Sequence, residues 1–191
     1  MKRIEETERL LIVVDMVKGF IDFGNMADPG IRGIVPRMKE VIEDFLEKED
    51  AVFFIRDSHP EGAAEFEKFP VHCLEGDAES ELIEELMPYE EKGLTFKKNS
   101  TSAMFAEGFQ ETLSKMKKLK EVIVCGCCSD ICVINLATPL STFFDERNQK
   151  VKVWVPSNLM ETFDSPVHGR EAYNAMTVKM LNLVGITTEE I

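Results

Sequence analysis

Imidazole and the larger aromatic rings are scarce here. There is one Trp, two Tyr and three His in 191 residues. With so few His, two that fall in one loop stand out. Long apolar runs are also missing. Leu10 to Val14 is too short for a signal-peptide core and lacks its flanking features. No segment reaches the length needed to span a membrane. Positive charge is short as well: Lys and Arg total 22 against 35 Asp and Glu, a formal net charge of −13. That balance argues against nucleic acid or an anionic membrane surface as the main partner. The five cysteines are an odd number, and four lie between Cys125 and Cys132. This is not the pattern of a secreted disulfide framework, so a reducing cytoplasm is the expected compartment. Repeats, low-complexity tracts and linkers are absent too, so residues 1–191 are expected to form a single domain.

What is present is an alternation of short β-rich runs and amphipathic segments. Leu10–Val14, Ala51–Ile55, Gly93–Phe96 and Glu121–Val124 read as strands, the first two apolar throughout and so covered on both faces. Val151–Val155 alternates as an edge or half-covered strand does. Helices are expected at Pro36–Lys48, Ser80–Leu86 (stopped by Pro88), Phe105–Lys118, from Ile131 onward and at His168–Leu183. This order indicates an α/β protein with a mostly parallel sheet and helices on both faces. In such a sheet, ligands bind beyond the carboxyl ends of the strands. Asp15, Asp57, His59 and Lys98 all fall just past expected strand ends.

The stretch Cys125-Gly126-Cys127-Cys128-Ser129-Asp130-Ile131-Cys132 lies between a strand and a helix. Cys132 is expected in the first helical turn, where free N–H groups and the helix dipole favour a thiolate. Cys125 and Cys127 read as small core hydrophobes. Asp57 and His59 are two apart in extended backbone and point the same way. With His72 and one Glu, either Glu65 or Glu67, they could hold a divalent ion. His168 reads as a helix-terminal or hydrogen-bonding residue and stays outside the candidate site.

These pieces together resemble the isochorismatase-like cysteine hydrolases of the nicotinamidase type. The resemblance spans nearly the whole chain. It rests on Asp15 to Phe20, on Asp57-x-His59 with Phe69-Pro70-Val71-His72-Cys73, on Lys98 to Ala103, and on Asp130-Ile131-Cys132-Val133. It implies a three-layer sandwich and an Asp15–Lys98–Cys132 triad, with Lys98 lowering the Cys132 pKa. It also implies a cis peptide before Cys128 and an oxyanion hole from the N–H groups of Cys128 and Cys132. One divalent metal, Zn²⁺ with Mn²⁺ or Fe²⁺ as substitutes, would be held by Asp57, His59, Glu65 and His72. Phe20 and Phe69 would flank the substrate ring. The implied activity is hydrolysis of nicotinamide to nicotinate and ammonia through a Cys132 thioester. Another small amide or a carbamoyl compound is the alternative substrate, and a homo-oligomer is left open. Val17 departs from the family, which often has Gln there. Two readings of another class are a zinc-binding module built on the cysteines and a redox-sensing thiol protein. The pairs Cys125-x-Cys127 and Cys128-x-x-x-Cys132 overlap in one turn and lack zinc-ribbon spacing.

Overall fold

The computed structural model describes residues 4–191. Its centre is a sheet of six strands: β1 (Arg9–Val14), β2 (Ala51–Asp57), β3 (Leu94–Lys98), β4 (Glu121–Cys127), β5 (Lys152–Trp154) and β6 (Met160–Glu161). The order is β3-β2-β1-β4-β5, with β6 added beside β4, and every pairing is parallel. The chain builds outward from β1 through β2 to β3, then returns to the other side of β1 as β4. That reversal is a topological switch point, where parallel sheets leave a crevice.

Strand alternation explains why the β1 run is apolar throughout. Leu10, Ile12 and Val14 join Phe53, Ile55, Val122 and Val124 on one face. Leu11 and Val13 join Val52, Phe54, Ile123 and Cys125 on the other. The first face is covered by α4 (Phe109–Lys115), α5 (Ile134–Asp145) and α6 (Arg170–Leu183), through Phe109, Leu113, Leu136, Leu140 and Leu181. The second is covered by α2 (Val35–Glu47), through Met38, Ile42 and Phe45. Two short helices, α1 (Lys18–Ile21) and α3 (Met87–Glu90), complete the set. No helix among the described residues is long and apolar enough to cross a membrane.

Several expected boundaries move. Residues 80–86 form no α-helix. Leu82, Ile83 and Leu86 are buried, but in an irregular segment that starts with a 3₁₀ turn at Ala78–Ser80. Val17 and Leu82 form an isolated antiparallel bridge, and Ile83 N donates to Met16 O, so tertiary hydrogen bonds replace helical ones. Pro88 lies in the first turn of α3, where its missing N–H costs nothing, rather than ending a helix. The helix expected at 105–118 spans only α4. β6 has two residues, too short for any periodicity. Pro139 lies inside α5 as expected.

One glycine is demanded by the sheet itself. Gly126 has φ +119°, and a Cβ there would lie 2.0 Å from the backbone oxygen of Val14 on β1. Gly126→Ala therefore forces β1 and β4 apart. We expect a loss of about 3 kcal/mol or more, read as a shifted urea midpoint, or no soluble folded protein.

Candidate active site

β1 delivers Asp15 to the switch point. Asp15 has φ +50°, a left-handed conformation uncommon for a residue with a side chain, and the chain turns there. Its carboxylate is fully buried. Lys98 closes β3 and is buried, while its neighbour Lys97 is exposed and pairs with Glu75, as alternation requires. Lys98 Nζ is 2.9 Å from Asp15 Oδ2 and 2.8 Å from Asp57 Oδ1. The Asp57 contact is a hydrogen bond. The Asp15 contact is an ion pair by distance, and neither Asp15 oxygen has a partner in hydrogen-bond geometry. Burial opposes the Lys98 charge. Asp15, the Cys132 sulfur and Asp57 outweigh it and hold the ammonium pKa well above its usual value. Burial raises the Asp15 pKa to about 6, with Asp57 adding to the rise and Lys98 and Cys132 opposing it.

Cys132 sits in a π-helical turn, Ser129–Val133, that leads into α5. Ile131 N and Val133 N both donate to Cys128 O at 3.1 Å and close that turn. The Cys127–Cys128 peptide is cis. Burial pushes the Cys132 thiol well above its usual pKa. Lys98 pulls it down, but Asp15, Asp57 and Cys128 add to the rise. The sequence led us to expect a thiolate at a helix start. Here desolvation outweighs Lys98 and the shift is upward instead. Asp15, at about 6, is the buried carboxylate beside it. Cys125 and Cys127 are core residues, with thiols directed at Ile12 O and Asp15 O at 3.5 and 3.1 Å.

Beside this group lies a second one. Asp57, His59, Glu65 and His72 bring their ligand atoms within 4.8 Å of one another. Glu67 is exposed and stands outside that group. Among the described residues, the cysteines form no comparable set with three or more ligands. Asp57 Oδ2 lies 3.0 Å from His59 Nε2 and 3.1 Å from His72 Nε2. His59 Nδ1 is 2.7 Å from Asn99 Oδ1, and His72 Nδ1 is 2.7 Å from Pro70 O. A carbonyl oxygen only accepts, so each Nδ1 donates to it and each ring is held with its Nε2 turned toward Asp57. Buried His59 Nε2 has no hydrogen-bond partner. Two imidazole Nε2 atoms and two carboxylates within 4.8 Å of one another, each ring oriented by a carbonyl, fit a divalent cation. Asp57 lies far below the usual carboxylate range. Burial opposes this, but Lys98 and the two imidazoles prevail.

Phe20, Met26, Asp57, Glu65, Phe69, His72, Thr101, Cys128, Ile131 and Cys132 line one cleft. Phe20 and Phe69 stand 5.5 and 6.5 Å from the His72 ring, centroid to centroid. Val17, where the sequence departs from its family, is fully buried in the core and not among these lining residues.

Comparison with known proteins places this arrangement. The isochorismatase domain model matches residues 9–190. The chain belongs to the isochorismatase domain family. It is 33% identical over 178 residues to Nicotinamidase 1 of Arabidopsis thaliana, covering 83% of this chain and 71% of that protein. The pyrazinamidase of Pyrococcus horikoshii, solved in complex with zinc, superposes with a TM-score of 0.79 at 22% identity, over 96% of this chain and 99% of that one. The N-carbamoylsarcosine amidase of Thermoplasma acidophilum superposes with a TM-score of 0.77 at 24% identity, over 96% of each chain. At these identities the two superpositions show the shared fold and do not choose between substrates.

Asn99, Phe66, Met26, Thr101 and Ile131 were not singled out from sequence. Asn99 adjoins Lys98, so its position alone could have suggested it. Phe66 packs 5.2 Å from His59 and 5.7 Å from His72, a contact that only folding reveals. Asn99→Ala frees the His59 ring. We expect divalent-metal affinity to fall about 10- to 100-fold in competition with a chelating dye. Glu65→Gln should weaken binding at least about tenfold, and Glu67→Gln should leave it unchanged.

Proposed function

We propose that this chain hydrolyses nicotinamide to nicotinate and ammonia, with Cys132 as nucleophile, and that residues 1–191 act as one hydrolase domain. The observation that carries this reading is one cleft lined both by Cys132 and by Asp57, Glu65 and His72, three members of the group that His59 completes. The Asp15–Lys98 pair lies buried beside it. The Arabidopsis relative, named a nicotinamidase, supports the substrate. So do the aromatic walls Phe20 and Phe69, which suit a flat ring.

Asp15 accepts the Cys132 proton as sulfur attacks the carboxamide carbon. Lys98 balances the charge that moves between the two. The oxyanion is received by the backbone N–H groups of Cys128 and Cys132, each donor typically worth ~3–4 kcal/mol. Asp15 returns its proton to nitrogen, the C–N bond breaks, and ammonia leaves behind a thioester. Asp15 then takes a proton from water, which adds to the thioester carbonyl. The C–S bond breaks, nicotinate departs and the thiol re-forms. A divalent cation at Asp57, His59, Glu65 and His72, zinc being the first choice, would supply an anchor for a ring nitrogen and for ordered water.

The test is ammonia release from nicotinamide by metal-loaded protein. Asp15→Ala and Cys132→Ala should each lower it about a thousandfold or more. Bound metal and the fold should persist in Cys132→Ala, which a cysteine-based zinc module does not predict. No release by folded, metal-loaded wild type would reject nicotinamide. The rate should also depend on pH through Asp15. Below about 6 its carboxyl is protonated and cannot take the thiol proton, so kcat/KM should fall as pH drops through about 6. An acid limb unmoved from that of an ordinary carboxylate would reject Asp15 as the base.

A further inference from the structure

His168 lies outside the cleft, yet both its ring nitrogens and both its ring faces are engaged. Nδ1 is 3.0 Å from Phe163 O, and Nε2 is 2.8 Å from Asp130 Oδ2. The ring stacks on Phe163 at 3.8 Å and 9°, and on Tyr173 at 3.6 Å and 26°. Its backbone exchanges two hydrogen bonds with Ser165. Helix α6 begins only at Arg170, with Gly169 as its cap, so His168 is not a residue of that helix. Since Phe163 O can only accept, Nδ1 carries a proton. A contact of 2.8 Å between Nε2 and a carboxylate then requires one more proton, shared across it.

What this clamp holds is the turn that carries the thiol. Asp130 is two residues before Cys132 within the π-helical turn, and its other oxygen, Oδ1, is buried without a hydrogen-bond partner. His168 is therefore the side chain that orients Asp130. The same segment grips the preceding residue. Ser129 Oγ is 2.5 Å from Asn174 Oδ1, and Asn174 Nδ2 donates to Glu161 Oε1 at 2.5 Å. Thr162 N also donates to Glu161 Oε1, at 2.9 Å. Two consecutive residues of the nucleophile turn are thus fixed from residues 161–174, which contribute nothing to the reacting atoms. Phe163 also lines a neighbouring pocket that shares Met26, Phe69 and Ile131 with the cleft.

We infer that His168 is a positioning residue for the Cys132 nucleophile: by holding Asp130 it sets where the turn presents Sγ to Asp15. This rests on the reading of Cys132 as nucleophile. A displacement of about 1 Å at a reacting atom can cost about 100-fold in rate. His168→Ala should therefore lower kcat on nicotinamide about 10- to 100-fold with KM changed less than threefold, because His168 touches none of the residues that line the cleft around Cys132. His168→Gln, whose amide can still donate to Asp130, should recover most of the loss. Asp130→Ala should match His168→Ala, and the double variant should be no slower than either, since both remove one contact.

The second measurement does not need turnover. The rate of Cys132 alkylation by iodoacetamide at neutral pH, followed by peptide mass spectrometry, should slow about tenfold in His168→Ala. A merely structural residue predicts the opposite, because loosening the turn exposes a buried thiol. The inference is overturned by unchanged kcat in folded His168→Ala, by additive losses in the double variant, or by faster alkylation. If wild type fails on nicotinamide but its Cys132 alkylates in a His168-dependent way, the substrate reading falls and the positioning role stands.

Discussion

The site depends on the carboxylate of Asp57. One of its oxygens accepts from Lys98, and the other faces the Nε2 atoms of His59 and His72. Through Lys98 it is one cation away from Asp15. Two buried carboxylates this close cannot both stay ionised without a positive charge between them. Lys98 supplies that charge, and removing one member of such a buried pair typically costs about 3–5 kcal/mol. The candidate metal group and the proposed nucleophile group therefore share one electrostatic unit. What happens to the charge on one side is felt on the other through a single ammonium.

The parallel sheet explains why these charges meet at one edge. Asp15, Asp57 and Lys98 each lie at the carboxyl end of a strand, and neighbouring parallel strands end together. The reversal of strand order at β1 and β4 opens the crevice between Asp15 and the cysteine turn. Close approach of those two strands is what makes Gly126 unavoidable. Dense apolar packing on both faces supplies the low-dielectric surroundings that move the ionisable groups. Burial raises the pKa of both Asp15 and Cys132. A buried thiol beside a carboxylate raised to about 6 fits the proton transfer proposed as the first step.

Behind the turn stands a polar and aromatic support: His168 between Phe163 and Tyr173, and Asn174 on Ser129. Its residues are far from Cys132 in sequence. Their effect is geometric, because a side chain on a short turn is only as well placed as the turn itself.

Strand character was legible wherever a run was apolar on both faces, as at Leu10–Val14, because two-sided burial leaves no polar position to confuse the period. The alternation of Lys97 and Lys98 was legible from the period of two along a strand, which turns one inward and the other out. The nucleophile turn, the Asp57-x-His59 pair and His72 could be found because those residue types are rare or expensive where they fell. The irregular path of residues 80–86 was not legible, because its apolar spacing mimics a helix while its hydrogen bonds go to Met16 and Lys18, distant in sequence. The choice of Glu65 over Glu67 was likewise undecided, since both are acidic and near the pair.

The sequence by itself determined the α/β class, the identity of the chemical groups and their places at strand ends, because these follow from local pattern and residue type. Only the tertiary structure decided the burial of Cys132, the bridging position of Asp57 and the engagement of His168. Those depend on burial and on distances between residues far apart in the chain, and no local pattern encodes either.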